Sequence, residues 1–412
     1  MSIDYEPYSE AAKADPHSFY RALRREAPVY WAEQAGAWVI SRHRDVQFVF
    51  KHPELFSSDA MGGMLSGKAA TTPASPALER NVIMMDPPHH AGVRNLVSRG
   101  FTPRRISALE PRLREIVECA MQKVRGASSF DVVAEFGVSV PVTIIAELLG
   151  VETERCADFK RWSDEIIASV SGSRRGEDGD SGAAEQFRVY FGELIEKRKR
   201  EPREDLISVL VAAQDGVEAL THGEVLQFLL VLLMAGNETT TNLIGSMVQV
   251  LYKHPEQLEL VVRDPALIPN LIEETLRYAP PVQFLFRRTR REVEIAGTEL
   301  PANCAVIPLI ASANRDERFF ERPEEFDVTR DTQGHLTFGF GTHFCMGASL
   351  ARLEARVVME ALLEELPRFR PCASSVEYVD SFMMSGPKRL VLERVGPAFV
   401  RGQTVESAGV AG

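Results

Sequence analysis

The sequence predicts a mainly α protein with a smaller β-rich region, and three observations carry that expectation. Thr221-His-Gly-Glu224 has the spacing of a helix capping box, and the apolar positions after it continue to about Tyr252, just before His254-Pro255. At 1.5 Å per residue this helix spans ~45 Å, enough to cross a whole domain. Helical periodicity also dominates from Pro103 to about Arg200, while strand-like runs gather between 282 and 310.

The remaining elements follow in order. Residues 16 to 56 combine a helical pattern at Phe19 and Leu23, a strand-like run at Ala37 to Ser41 and a helix through Val46 to Phe50, a mixed α and β edge. Residues 57 to 80, rich in Gly, Ser, Ala, Thr and Pro, form an irregular segment longer than most connections, of the length used for lids and binding loops. A Gly, Ser and charge-rich break at Ser171 to Gly182 is a second such connection. A helix from about Ile268 to Tyr278 stops before Pro280-Pro281, because the residue before a proline disfavours helical dihedrals. The last strong helix starts just after Cys345 and places Leu350, Leu353, Val357, Val358 and Leu362 on one stripe. With no internal repeat and no clean linker, residues 1–400 are expected to form one domain and 401–412 a frayed tail.

The composition excludes several classes. Of 412 residues, 45% are hydrophobic and 25% charged, ample for a core, and a net charge of −11 argues against non-specific nucleic-acid binding. The start, Met1 to Glu10, has no secretory-signal pattern. The most apolar stretch, Val225 to Ala235, is interrupted by Gln227 and ends at Asn237-Glu238, short of the ~20 residues a membrane span needs. The five cysteines (119, 156, 304, 345 and 372) are odd in number, scattered and without a C-x-x-C pair, so neither a disulfide framework nor a zinc site is expected; the reduced cytoplasm fits.

The chemistry concentrates in Phe338-Gly-Phe-Gly341-Thr-His343-Phe-Cys345-Met-Gly347, a glycine-punctuated loop ending at a helix N-terminus. Backbone N–H groups and the positive helix end lower the cost of a buried thiolate there, and an iron cation lowers it further. Gly341 and Gly347 are expected to let the backbone approach a flat cofactor. A buried cysteine alone is more often a small core residue. The pattern F-x-x-G-x-x-x-C-x-G overturns that reading, because it resembles the haem-binding loop of the cytochrome P-450 family.

The resemblance runs from about residue 15 to 395 and brings further motifs in the family's order. It implies the family's mainly α fold, with haem b (iron protoporphyrin IX) between the long central helix and the cysteine loop, Cys345 as axial ligand, and Phe338 and Gly347 against the cofactor. The thiolate's push toward O–O cleavage is a property of the family, taken over with the resemblance. Ala235-Gly236-Asn237-Glu238-Thr239-Thr240 looks like the oxygen-activating A-G-x-[DE]-T-T element. Val231, Ala235 and Thr239 share a helix face, which the small Ala235 and Gly236 leave open. Glu238 and Thr239 are the proton-handling pair, since a hydroxyl relays and a carboxyl supplies a proton. Glu274-Thr-Leu-Arg277 resembles the family's structural E-x-x-R pair; the arginine that completes it is open between Arg315, Arg322 and Arg330, because the P-E-R-F position reads Pro323-Glu-Glu325-Phe326. For the two propionates the resemblance gives His90 and Arg94 from D-P-P-x-H-x-x-x-R, Arg287 (with Arg288 open) and His343. Substrate contacts are expected from Val231, Met234, Gln283, Leu285, Phe382 and Met383, and from the loops at 57–85 and 171–182.

The function implied is O2-dependent hydroxylation or epoxidation of a lipophilic terpene, fatty acid, steroid or polyketide, with electrons from a ferredoxin-type donor and its NAD(P)H-dependent reductase. Arg94, Arg99, Arg104, Arg105, Arg112 and Arg114 form a basic cluster in an acidic chain, and all but Arg94 are candidates for docking that donor. A peroxide-using or coupling haem-thiolate enzyme is the nearest rival, although the acid and alcohol pair favours O2 activation. A haem sensor needs neither that pair nor two lid-like loops. A zinc protein or cysteine hydrolase ranks last.

Overall fold

The structure, a computed structural model, describes residues 3–59, 81–170, 182–212, 220–372 and 376–395. Most of the two expected loops, and the whole 401–412 tail, lie outside the described residues.

The capping box forms as expected. Thr221 Oγ1 accepts the Glu224 N–H at 3.2 Å and the Glu224 carboxylate accepts the Thr221 N–H at 2.8 Å, satisfying two orphan donors of a 32-residue helix, His222–Lys253. Its apolar residues face the core: Leu229, Leu233, Ile244, Met247, Val248 and Leu251 are buried in the main cluster. Burying each such side chain contributes about 1.5–3 kcal/mol before ordering costs. Helices Ser139–Leu148, Ile268–Tyr278 and Ala348–Leu362 pack around this axis. No helix among the described residues is long and apolar enough to cross a membrane.

The β-rich region is a five-stranded sheet at one edge. Ala37–Ile40 pairs antiparallel with Val29–Ala32 and parallel with Ala305–Pro308, which pairs antiparallel with Arg287–Thr289; Phe56–Ser57 closes the order. Its strands come from sequence positions more than 250 residues apart, so the sheet pins the chain's beginning to the segment that carries Arg287. A second sheet joins Ser129–Asp131, Val391–Arg394 and Phe369–Pro371. Ser129–Asp131 and the π-helical turn Val133–Val138 interrupt the segment expected to be simply helical. That turn is held by the long helix, since Thr241 Oγ1 donates to Gly137 O at 2.6 Å.

One open assignment closes here. Arg277 and Glu274 are both fully buried and joined by two hydrogen bonds of 2.7 and 2.8 Å, and Arg277 also donates to the carbonyls of Asn314, Pro323 and Glu325. The third arginine is Arg330, whose Nε lies 3.2 Å from Glu274 Oε1. Arg315 instead lies over the Tyr278 ring and pairs with Glu324, and Arg322 pairs with Glu325 and Asp327. A buried carboxylate between two guanidiniums, with the Asp327 N–H as a further donor, anchors residues 314–330 ahead of the cysteine loop.

Candidate functional site

The long helix, the 337–347 loop and the start of helix Ala348–Leu362 enclose a mostly apolar cavity of about 290 Å³. Cys345 borders it, three residues before that helix begins, with its N–H donated to Phe338 O at 2.8 Å. The sulfur is open toward the cavity and enclosed by protein elsewhere. Burial raises its thiol pKa; the backbone N–H groups of Gly347 and Ala348 and the charges of Arg94 and Arg352 pull it back down. These are the groups that stabilise a thiolate.

Gly341 has a structural reason to be glycine besides the expected approach to a cofactor. At φ +71° its ideal Cβ would fall 2.9 Å from Phe50 O, so glycine is needed there to seat the loop on helix His43–Lys51. A Cβ on Gly347 would meet Cys345 Sγ at an ordinary 3.8 Å.

On the long helix, Val231, Ala235, Gly236, Thr239 and Thr240 line the cavity, as the four-residue spacing requires. Gly236 also serves packing, since a Cβ there would touch Ile145 Cδ1 at 3.0 Å. Thr239 Oγ1 donates to Ala235 O at 2.6 Å, which leaves its oxygen free to accept a proton donor from the cavity. Glu238 is half-buried beside that face, and burial raises its carboxyl pKa.

Arg94, Arg287 and His343 line the cavity, with His90 beside His343. Arg287 is buried; its Nη1 donates to Phe286 O at 2.7 Å, and desolvation lowers its pKa to about 10. Arg94 donates to Phe344 O, and neither arginine has a carboxylate within ion-pair distance among the described residues. His90 Nε2 is buried with no partner among the described residues, and the His90 and His343 ring centroids lie 4.1 Å apart with the planes tilted by 39°. Burial first, then the neighbouring positive charges, push His343 down to about 3 and lower His90. The choice between the paired arginines follows from strand alternation: in Arg287–Thr289, Arg287 turns inward, while Arg288 turns out to a salt bridge with Asp59.

Of the expected substrate contacts, Val231 and Leu285 line the cavity and four do not among its described walls. Met234 packs against the main core, and Gln283 is buried with its amide donated to Pro280 O at 2.8 Å. Met383 packs in the core cluster under the five-stranded sheet, and Phe382 is exposed, its ring edge-on to Tyr8 at 5.9 Å. The docking arginines also divide. Arg112 pairs with Glu115 and Glu147, and Arg114 with Glu110 and Glu360, so their charges are balanced, whereas Arg99, Arg104 and Arg105 have no ion pair among the described residues.

Glu354 escaped the sequence reading. It lines the cavity nine residues after Cys345, is 2% exposed, and has an unpartnered Oε1; complete burial raises its pKa to about 8, against a lowering hydrogen bond with Thr240. The signal was present: Glu354 follows Leu350 by one turn, a carboxyl intruding on the apolar stripe.

A cysteine just ahead of a helix N-terminus, opening on an apolar cavity that two guanidiniums without an ion pair among the described residues also border, defines a site suited to an apolar ligand that carries negative charge. The cytochrome P-450 family model matches residues 181–264 and 266–386. The structure of cytochrome P-450 CYP109Q5 from Chondromyces apiculatus is similar at 41% identity and TM-score 0.85, covering 96% of this chain and 99% of that one. CYP109E1 from Bacillus megaterium, solved in complex with testosterone, is similar at 34% identity and TM-score 0.82 over 92% and 99% of the two chains. The vitamin D(3) 25-hydroxylase of Pseudonocardia autotrophica is 36% identical over 91% of this chain and 93% of its own. The chain belongs to the cytochrome P-450 family: it is a haem-dependent monooxygenase, an oxidoreductase that takes O2 and an organic substrate. The residues present fit haem. An open sulfur, apolar walls, two uncompensated guanidiniums and an orphaned imidazole nitrogen match an iron, a macrocycle and two carboxylates.

Proposed function

We propose that the chain binds haem b through Cys345 and hydroxylates or epoxidises a lipophilic small molecule, with electrons from a ferredoxin-type donor and its NAD(P)H-dependent reductase. It works in the cytoplasm as one domain over residues 1–400. The observation that carries this reading is the shared cavity: Cys345, the Ala235–Thr239 face and the unpaired cations all open on one apolar space.

When bound, haem supplies the activation of O2. The chain's residues do the rest. The Gly347 and Ala348 N–H groups would stabilise the thiolate of Cys345 against the burial that favours its thiol, and the iron would complete that stabilisation. His90, Arg94, Arg287 and His343 would hold the propionates, and Phe338, Ala235, Gly236 and Gly347 would face the macrocycle. Thr239 presents a hydroxyl that moves a proton into the cavity, and Glu238, biased toward its neutral form by burial, replenishes that proton from the half-exposed side of the helix. Val231, Leu285 and Phe228 keep water from the reacting centre and favour a lipophilic substrate. The testosterone complex of a 34% identical relative supports the steroid end of that range.

The test joins binding to coupling. Testosterone, a fatty acid and a terpene are titrated into the haem protein and followed by optical difference spectra, and product per reduced nicotinamide is measured in wild type and Thr239→Ala. Thr239→Ala is expected to bind the same ligand and lose about tenfold in coupling, electrons passing to peroxide or water. Unchanged coupling would remove Thr239 from the mechanism.

A further inference from the structure

We propose that Glu273 is a positioning residue that clamps the chain on both sides of Cys345 and so preserves the thiolate bond to iron; this rests on the proposed role of Cys345. Glu273 immediately precedes Glu274, and consecutive helical residues point ~100° apart, so the two carboxylates serve different neighbours. Glu274 turns inward to Arg277 and Arg330. Glu273 turns to the cysteine loop. Its Oε1 accepts Arg352 Nε at 2.6 Å, and its Oε2 accepts Arg352 Nη2 at 2.8 Å and meets His335 Nε2 at 3.0 Å.

Those partners bracket the sulfur. His335 lies ten residues before Cys345 and Arg352 seven after it, so one carboxylate closes the whole cysteine loop at its base. The clamp also reaches the sulfur through contacts. The Arg352 guanidinium lies 4.4 Å from the Phe338 ring centroid, and Phe338 O accepts the Cys345 N–H at 2.8 Å. Upstream, the Thr337 N–H is donated to His335 Nδ1 at 3.3 Å and Thr337 Oγ1 donates to Leu276 O at 2.6 Å, tying the same strand of the loop to the same helix. Partial burial opposes ionisation of Glu273, and its hydrogen bonds with Arg352 and His335 outweigh it, holding the carboxyl at about 2. The clamp is therefore closed throughout the working pH range.

The neighbouring surface supplies a control. Glu110, in the same surface cleft as Glu273 and Arg352, pairs with Arg356, one turn beyond Arg352, and with Arg114, and among the described residues it has no hydrogen bond or ion pair with the cysteine loop. Glu110→Gln thus removes an equal charge nearby while leaving the clamp intact. The holoproteins of wild type, Glu273→Gln, Glu273→Asp and Glu110→Gln are reduced under carbon monoxide, and the red-shifted thiolate band is followed during mild heating alongside far-UV circular dichroism. Glu273→Gln should lose the band about tenfold faster than wild type, the order expected when hydrogen bonds to a charged group are lost. The backbone signal should persist, Glu273→Asp should fall between, and Glu110→Gln should match wild type. If Glu273→Gln yields too little folded protein, His335→Gln carries the same test by releasing the upstream half of the clamp. Equal rates in Glu273→Gln and wild type, or equal acceleration by Glu110→Gln, would overturn the proposal. A wild type without the band would instead overturn the role of Cys345.

Discussion

The molecule buries two sets of arginines and treats them oppositely. Arg277 and Arg330 meet a buried carboxylate, and their remaining donors end on backbone carbonyls. Arg287 is equally buried and Arg94 half-buried, yet among the described residues neither has an ion pair; Arg94 donates to a carbonyl, Arg287 to a carbonyl while lying 5.3 Å over the Phe50 ring, and beside them two imidazoles are held neutral partly by their charge. Desolvating a cation without an anion is costly, so a fold that only needed a core would not keep the second set. The first set is complete within the chain and structural; the second is the set that the proposed function pairs with the negative charge of a ligand.

The largest expected effect breaks this comparison most cleanly. Arg277→Ala strands a buried Glu274 carboxylate with one fewer partner, at a cost of about 3–5 kcal/mol, and should abolish soluble, folded protein. Arg287→Met removes an uncompensated charge. The haem-free variant should melt at or above wild type, while haem dissociates about tenfold faster for want of a charge-assisted hydrogen bond. Equal loss of folding in both variants, read by circular dichroism and soluble yield, would show that the second set is structural too.

The same contrast between balanced and unbalanced charge orders the docking arginines. Arg104→Glu or Arg105→Glu should slow reduction by an acidic ferredoxin by about tenfold at low salt, the gap narrowing as the Debye length falls toward ~10 Å at 0.1 M. Arg112→Gln should change the rate little, because Glu115 and Glu147 already neutralise that charge. Stopped-flow reduction, with peroxide-driven turnover as the folding control, separates these outcomes.

A smaller effect concerns Glu354, the acid counterpart of the unpaired cations. Its folded pKa, about 8, lies above the ordinary carboxyl value, so the folded state binds more protons than the unfolded state between roughly pH 4.5 and 8. Its contribution to stability is present below that window and is lost as pH rises through it. Glu354→Gln cannot ionise. The variant's stability relative to wild type should therefore rise across the window by on the order of a few kcal/mol and level off above it. A pH-independent difference in denaturant midpoints would contradict the buried, protonated assignment.

How legible these features were depended on how local their causes are. The capping box, the long helix and the Glu274–Arg277 pair depend on neighbours within a turn or two, and they form where spacing places them. Arg330 could not be told from Arg315 or Arg322, because which guanidinium reaches Glu274 is set by the path of residues 314–330. Arg287 and Arg288 are equivalent in the sequence until strand pairing fixes which one faces inward. The strand-like runs at Ala37 to Ser41 and between 282 and 310 were legible, but their parallel pairing, Ala37–Ile40 with Ala305–Pro308, joins positions more than 250 residues apart and has no local signal. The substrate wall fared worst. Gln283, Phe382 and Met383 are read equally well as lining or otherwise, and here Gln283 is buried on a backbone carbonyl, Met383 packs against a core cluster and Phe382 lies exposed against Tyr8.

The central claim is that Cys345 and the uncompensated cations together hold one haem, and the spectrum of the reduced protein under carbon monoxide tests it most directly. Wild type should show the strongly red-shifted band of a thiolate ligand at one haem per chain. Cys345→Ser should retain haem in the cavity, because His90, Arg94, Arg287 and His343 are unchanged, but lose that band completely. A Cys345→Ser protein that keeps the band would contradict the account.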